Sequence, residues 1–259
     1  MLKKVLWLLL SVVFVSGVFA AKFNKTDLYD AIIQKDKMVV GLSFDSKPFG
    51  FKDSDGQVKG MEADLAREIA KRILGSESKV EFKNVSSQDR VKAVTSGDVD
   101  MVISTMTITR QRKKVVDFST PYFIAGQVIG VRKDSKINSL DDLINKKVIV
   151  ILGTTGEKNI KRFAPNALIQ GYVNNSDAIN AFKSIPDSAI TTDDSLLQGL
   201  VMGNSGYMLL PKRLTKEPYG IAFRKSSQTK SFRHNVNKII NEIRLDGTLI
   251  TIKNKWGIN

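Results

Sequence analysis

The chain has 259 residues with 40 Lys and Arg against 26 Asp and Glu, a formal net charge of +14, one His and no Cys. Without Cys there are no disulfides, no thiolate metal site and no cysteine nucleophile, and a lone His is a poor start for a metal or catalytic cluster. The Lys and Arg residues are scattered among acidic ones rather than massed, so no nucleic-acid partner is expected, only a basic surface with mild attraction for anionic solutes.

In chain order, Met1 to Lys4 form a basic head, Val5 to Val15 an apolar run, and Val18-Phe19-Ala20 a small-residue exit. This is the pattern of a secretory signal peptide, cleaved after Ala20. The apolar run is shorter than the ~20 residues a bilayer span requires. No Cys near the cleavage site can carry a lipid, so residues 1–20 are expected to leave and the rest to be exported free. What remains is long enough for one large domain or two lobes.

Phe23 to Lys37 is predicted helical from Leu28, Ile32 and Ile33, with Thr26 as N-cap. Val39 to Leu42 is a short buried strand, and Phe44 to Phe51 is the loop at its carboxyl end, where open α/β sheets bind ligands. Pro48 bars a regular central strand, so this loop is expected to be a wall. Of its aromatics Phe49 and Phe51, one is expected in the core. Asp53 to Gly56 is a turn, and Gly60 to Leu74 a helix with Leu65, Ile69 and Ile73 on one face. Glu62 and Asp64 suit its N-terminal dipole and are given a structural role. After the strand Val80 to Phe82, Arg90 stands where a helix over Val91 to Thr95 begins, either turned into a cleft or left on the surface.

Asp98 to Lys133 is the most informative stretch. A buried strand, Val99 to Ser104, runs into hydroxyls at Thr105, Thr107 and Thr109 and then into Arg110 and Arg112. An Arg fork matches the two oxygens of a carboxylate, and hydroxyls complete the anion's hydrogen bonds. The plainer alternative is strand-favouring Thr followed by a solvated helix start. An apolar strand over Gln127 to Val131 follows. Ser139 to Leu143 is a short helix and Lys147 to Leu152 a strand. Gly153-Thr154-Thr155-Gly156-Glu157 then opens a helix whose free N–H groups can cradle an anion. It lacks the Gly-Lys-Ser/Thr ending of a P-loop, so no nucleotide is expected. Ser176 to Phe182 is a helix, and Ser188 to Thr192 a strand that ends in Asp193-Asp194-Ser195 before a helix over Leu196 to Val201. Either Asp can cap that helix. Glu217 to Phe223 reads as one strand, Ser231 to Leu245 as an amphipathic helix with His234 on its face, and Ile252 to Gly257 as the closing turn and helix.

The string S-T-M-T-I-T-R-Q-R-K-K-V-V-D-F-S-T-P-Y-F, Ser104 to Phe123, resembles the signature of family 3 periplasmic solute-binding proteins, the amino-acid receptors of ATP-binding-cassette importers. The similarity extends from Lys37 to Gly257. It implies an α/β, two-lobed type II binding protein, free in the periplasm, monomeric and without cofactor, with an amino acid as ligand. An inner-membrane permease with a cytoplasmic ATPase would be its partner. Lobe one would be residues 21–121 plus 220–259, lobe two 127–216, and the hinge 122–126 and 217–219. The ligand set implied is Phe49, Arg90, Thr105, Thr107, Arg112, Thr154, Thr155 and Asp193. In this set Arg112 holds the α-carboxylate with Thr155 opposite, Asp193 holds the α-ammonium, and Asp194 caps the helix. Arg90 matches members that bind aspartate or glutamate, so an acidic amino acid is the expected ligand and glutamine the alternative. An enzyme on this scaffold, a periplasmic dehydratase, is the other class considered; the expectation is no catalysis. Ser43 departs from the family, where amino-acid receptors carry an acidic residue, and Ser188 with Ile185-Pro186 departs outside the pocket.

Overall fold

Apolar, β-branched Met38–Leu42 and the short Met101–Val102 lie side by side as parallel strands, with Val80–Asn84 at one edge. Ala222–Arg224 and Val116–Phe118 extend the other edge antiparallel, giving a five-stranded sheet. Parallel strands need cover on both faces. Helices Met61–Leu74 and Lys230–Leu245 bury Leu65, Ile69, Phe232 and Ile240 on one side, and helix Arg90–Ser96 puts Val94 against Val99 and Val102 on the other. The computed structural model describes residues 27–202 and 206–258.

A second five-stranded sheet is ordered Leu168–Tyr172, Lys147–Ile151, Ser188–Asp193, Gln127–Arg132, Tyr207–Leu209. Its faces are covered by Ile160 of helix Thr155–Phe163 and by Ala178 and Phe182 of helix Asn175–Ser184. The chain passes between the sheets twice, and the passages pair with each other: Phe123–Ala125 runs antiparallel to Glu217–Tyr219. Both sheets therefore turn the carboxyl ends of their parallel strands toward one seam. No described helix is long and apolar enough to cross a membrane.

Several elements differ from the sequence reading. The Phe44 to Phe51 segment is not a plain loop: Asp45–Ser46 and Gly50–Lys52 pair, and Val58–Lys59 adds a third strand. Pro48 sits in the turn between the first two, where no ladder hydrogen bond is required of it. The strand expected over Val99 to Ser104 is reduced to Met101–Val102, because Thr105 adopts φ 42° and bends the chain out of the sheet. Glu217 to Phe223 is two strands belonging to different sheets. The edge strands Leu168–Tyr172 and Tyr207–Leu209 were not anticipated; half-exposed Leu168 shows why, since an edge strand need not alternate cleanly. Asp27, not Thr26, caps the first helix, accepting from Tyr29 N at 2.8 Å. Thr26 and the expected signal peptide lie outside the described residues.

One buried contact shapes the first lobe. Gly60 opens helix Met61–Leu74 at φ 125°, where a Cβ would stand 2.1 Å from the Phe49 carbonyl oxygen, so only glycine fits. The turn brings Glu62 inward, fully buried, where Oε1 accepts from the Thr105 N–H at 2.6 Å and from the Tyr122 hydroxyl. Burial pushes its carboxyl up to about 7, against the opposing pull of these donors and the nearby Arg90 charge. A carboxyl raised this way favours the folded state below its unfolded value of 4.5, and that contribution is lost as pH rises through about 7. Glu62→Gln keeps an acceptor for both donors but does not titrate. Measured by urea unfolding, the stability of wild type relative to Glu62→Gln should therefore fall by on the order of 3 kcal/mol between pH 4 and pH 8. A difference that stays flat with pH would remove the buried-carboxylate account.

Candidate ligand-binding cleft

At the seam, Ser87, Arg90, Thr105 and Thr107 of the first lobe face Thr154, Thr155, Gly156, Asn175, Thr192, Asp193 and Leu196 of the second around one small enclosed cavity. The second-lobe residues come from strand ends and helix starts, where main-chain N–H groups are free. Six of the eight residues proposed from sequence, all but Phe49 and Arg112, line this space.

Arg90, 2% exposed, is the first residue of its helix. Its Nη1 donates to the carbonyls of Ser104 and, at 3.3 Å, Thr105, while its Nε has no partner. The cation is thus partly engaged by main-chain oxygens. Burial lowers its pKa, opposed by the charges around Tyr219, Glu62, Tyr122 and Asp193. Thr105 is held from both sides, its N–H by Glu62 and its carbonyl by Arg90.

Arg112 bridges the lobes. Nη1 donates to the Thr107 carbonyl at 2.8 Å and Nη2 to the Gly153 carbonyl at 3.2 Å. Burial first, and repulsion from Arg90 second, bring its pKa down to about 9, so it remains a cation at neutral pH. The Thr107 and Thr155 hydroxyls stand 3.4 Å apart across the seam, and Thr155 donates to Glu217 Oε2 at 2.8 Å. Thr154 caps helix Thr155–Phe163, accepting from Glu157 N at 3.1 Å and donating to the Ile151 carbonyl, so its hydroxyl has less to offer a ligand than that of Thr155. Gly153, at φ 78°, abuts the first lobe so closely that a Cβ would lie 2.8 Å from the Ser87 carbonyl oxygen.

The two acidic residues separate by environment. Asp194 is engaged by the N–H groups of Gly126 and Ser195 and by Arg213. Asp193 is 8% exposed, borders the cavity and accepts from the buried Tyr219 hydroxyl. Burial raises its carboxyl to about 7, with Glu217 and Asp194 adding to the rise while Tyr219 and Arg90 oppose it.

Phe49 is placed elsewhere. It is fully buried in the first-lobe core, edge-on to Phe123 at 5.3 Å and to Tyr219 at 5.7 Å, one layer below the cavity. Its partner Phe51 instead borders a wider, outer space between the lobes. Phe49, implied as a ligand residue by the family resemblance, is thus the core aromatic of the two, its carbonyl packed against the turn at Gly60. Sequence reasoning also missed Tyr219, Glu217, Gln127 and Asn175. Buried Gln127 donates to the Gly156 carbonyl at 3.2 Å and to Thr191 Oγ1 at 2.9 Å, bracing the glycine loop. Only a polar residue heading an otherwise apolar strand signalled it. Exposed His234 is remote from this constellation.

Residues 38–259 match the model of the bacterial extracellular solute-binding proteins, family 3. The glutamine-binding protein of an ABC transporter in Bacillus subtilis is 41% identical, the match covering 92% of this chain and 87% of that one. Among solved structures, an ancestral arginine-binding protein bound to glutamine is 41% identical with a TM-score of 0.79, over 85% of this chain and 97% of that one. An ancestral amino-acid-binding protein, a precursor of cyclohexadienyl dehydratase, is 38% identical with a TM-score of 0.82, over 88% and 98%. The likeness runs through both lobes and the seam between them, and the chain belongs to the bacterial extracellular solute-binding proteins of family 3.

Proposed function

We propose that the protein is the receptor of an amino-acid ABC importer, exported from the cytoplasm, which encloses one polar amino acid between its lobes and delivers it to a membrane permease. The observation that carries this reading is that Arg112, hydrogen-bonded to the Thr107 and Gly153 carbonyls, and the buried carboxyl of Asp193 occur at the same seam as the Thr107–Thr155 hydroxyl contact. Opposite charges beside two hydroxyls at one seam suit an α-carboxylate and an α-ammonium. The relatives are receptors rather than enzymes, and no turnover is expected.

For the side chain, glutamine fits better than the acidic amino acid expected from Arg90 alone. Arg90 Nη1 already serves two carbonyls, and the unpartnered Nε side of the fork can serve a carboxamide oxygen as well as a carboxylate. A carboxamide needs one donor for its oxygen and acceptors for its NH₂, and hydroxyls such as Ser87 and Thr192 can accept. The relative at 41% identity that is named for glutamine points the same way, whereas the ancestral arginine-binding protein at 41% identity is solved with glutamine and with arginine alike. Glutamate is the second reading, favoured by the cation itself and by its unpartnered Nε. Calorimetric competition on ligand-stripped protein with Gln, Glu, Asp, Lys and Arg decides between them. Gln is expected first, and lysine in first place would refute this account of the pocket.

Asp193→Asn should weaken glutamine by about 2–5 kcal/mol, since the α-ammonium loses a desolvated counter-charge at the seam. Asp194→Asn should lower the melting temperature and leave affinity nearly intact. Equal losses at the two positions would reverse the assignment.

Gly153→Ala tests closure. The added Cβ meets the Ser87 carbonyl only when the lobes are together, so glutamine affinity should drop at least about tenfold, the 1.4 kcal/mol of a tight contact. Small-angle scattering should then show the variant staying extended at ligand concentrations that compact the wild type. Normal compaction would mean that the seam tolerates the methyl.

A further inference from the structure

The enclosed cavity has a larger neighbour. An open vestibule of about 610 Å³ lies between the Phe44 to Ser54 hairpin and the second lobe. Asn175, Thr192 and Leu196 border both spaces, so they form the partition between them. Of the three, Asn175 crosses the seam: its Nδ2 donates to Ser46 Oγ at 3.1 Å, and Ser46, 3% exposed, donates to Ser43 Oγ at 2.8 Å. The neighbouring Ser176 is bound to Asp45 Oδ2 through its N–H at 3.0 Å and to Oδ1 through its hydroxyl. The partition is thus held by a first-lobe hairpin and a second-lobe helix at once.

None of Arg112, Thr155 and Asp193 borders the vestibule. On the reading of the site given above, a ligand held by these three would extend its side chain toward Arg90 and the partition, all of which border the enclosed cavity. We infer that Asn175 is a specificity-determining residue that limits side-chain length: bonded to Ser46, it closes the cavity behind a side chain of glutamine's length and excludes longer ones from the vestibule beyond. This rests on the reading of the site as an amino-acid receptor. A longer side chain must push the amide aside, which strips buried Ser46 of its donor and opens the seam at its Asp45–Ser176 end; with the amide removed, the vestibule becomes accessible space rather than a wall.

The test uses ligand-stripped protein and three probes by calorimetry: L-glutamine, L-glutamine ethylated on its side-chain amide nitrogen, and L-arginine. Wild type should prefer glutamine. In Asn175→Ala the glutamine-to-ethylglutamine affinity ratio should fall at least about tenfold, the scale on which one or two carbons are discriminated by a closed pocket. Asn175→Gln should raise it. Ser46→Ala, which removes the anchor but leaves the amide, should shift the ratio in the same direction as Asn175→Ala, and it carries the test if that variant does not fold. A merely structural role would weaken all three probes in proportion, and an unchanged ratio in folded Asn175→Ala or Ser46→Ala overturns the inference while leaving the receptor reading intact. A wild type that binds no amino acid overturns both.

Discussion

Much of this molecule depends on the burial of one carboxylate beneath the cleft. Glu62 is fully enclosed, yet it holds the Thr105 N–H and the Tyr122 hydroxyl, one just beyond strand Met101–Val102 and one just before the first passage between the sheets. A buried charge is costly unless paired or hydrogen-bonded. Here two donors and the proximity of Arg90 offset that cost, and the carboxyl is still raised. The consequence is local geometry: Thr105 is kept in the left-handed region, a conformation that a β-branched residue rarely adopts unless its surroundings impose it. The chain can then leave the sheet and present Thr107 to the seam.

From that bend the hinge and the site are continuous. Ile108 N donates to the Pro218 carbonyl and Gly220 N to the Met106 carbonyl, so the segment bearing Thr107 is stitched to the second passage between the lobes. Tyr219 on that passage is fully buried among Phe49 and Phe123, and its hydroxyl reaches Asp193 of the other lobe. A ring fixed in the first-lobe core thus steadies a carboxylate carried by the second. The second passage between the sheets and the position of the anionic group are linked, because Tyr219 belongs to the one and holds the other.

Closure itself rests on modest contacts. Across the seam stand the Arg112 bridge, the Thr107–Thr155 hydroxyl pair, Lys158 to Gln111, and Asp45 and Ser46 with Ser176 and Asn175. Net hydrogen bonds contribute about 0.5–1.5 kcal/mol each, and several of these are exposed to water, so the seam is held by small increments.

The residues that the structure brings to the seam were largely legible because their signals are local. Hydroxyls and an Arg fork following an apolar strand, glycines with threonines before a helix, and acids after a strand each sit within a few residues, and open α/β architecture places such ends at one seam. The Ser104 to Phe123 string further tied them to a family. What the sequence could not decide was who stands opposite whom. Asp45 meets Ser176 across 131 residues and Glu62 meets Tyr122 across 60; periodicity describes one element's faces and carries no record of its distant partners. Phe49 and Phe51 were equally apolar and two apart, and only the turn at Gly60 decided which was buried. Arg90 was visible as a cation at a strand-to-helix junction, but whether its fork stays free for a ligand or serves the Ser104 and Thr105 carbonyls depends on a bend made by Glu62, and that bend exists only once the lobe is packed.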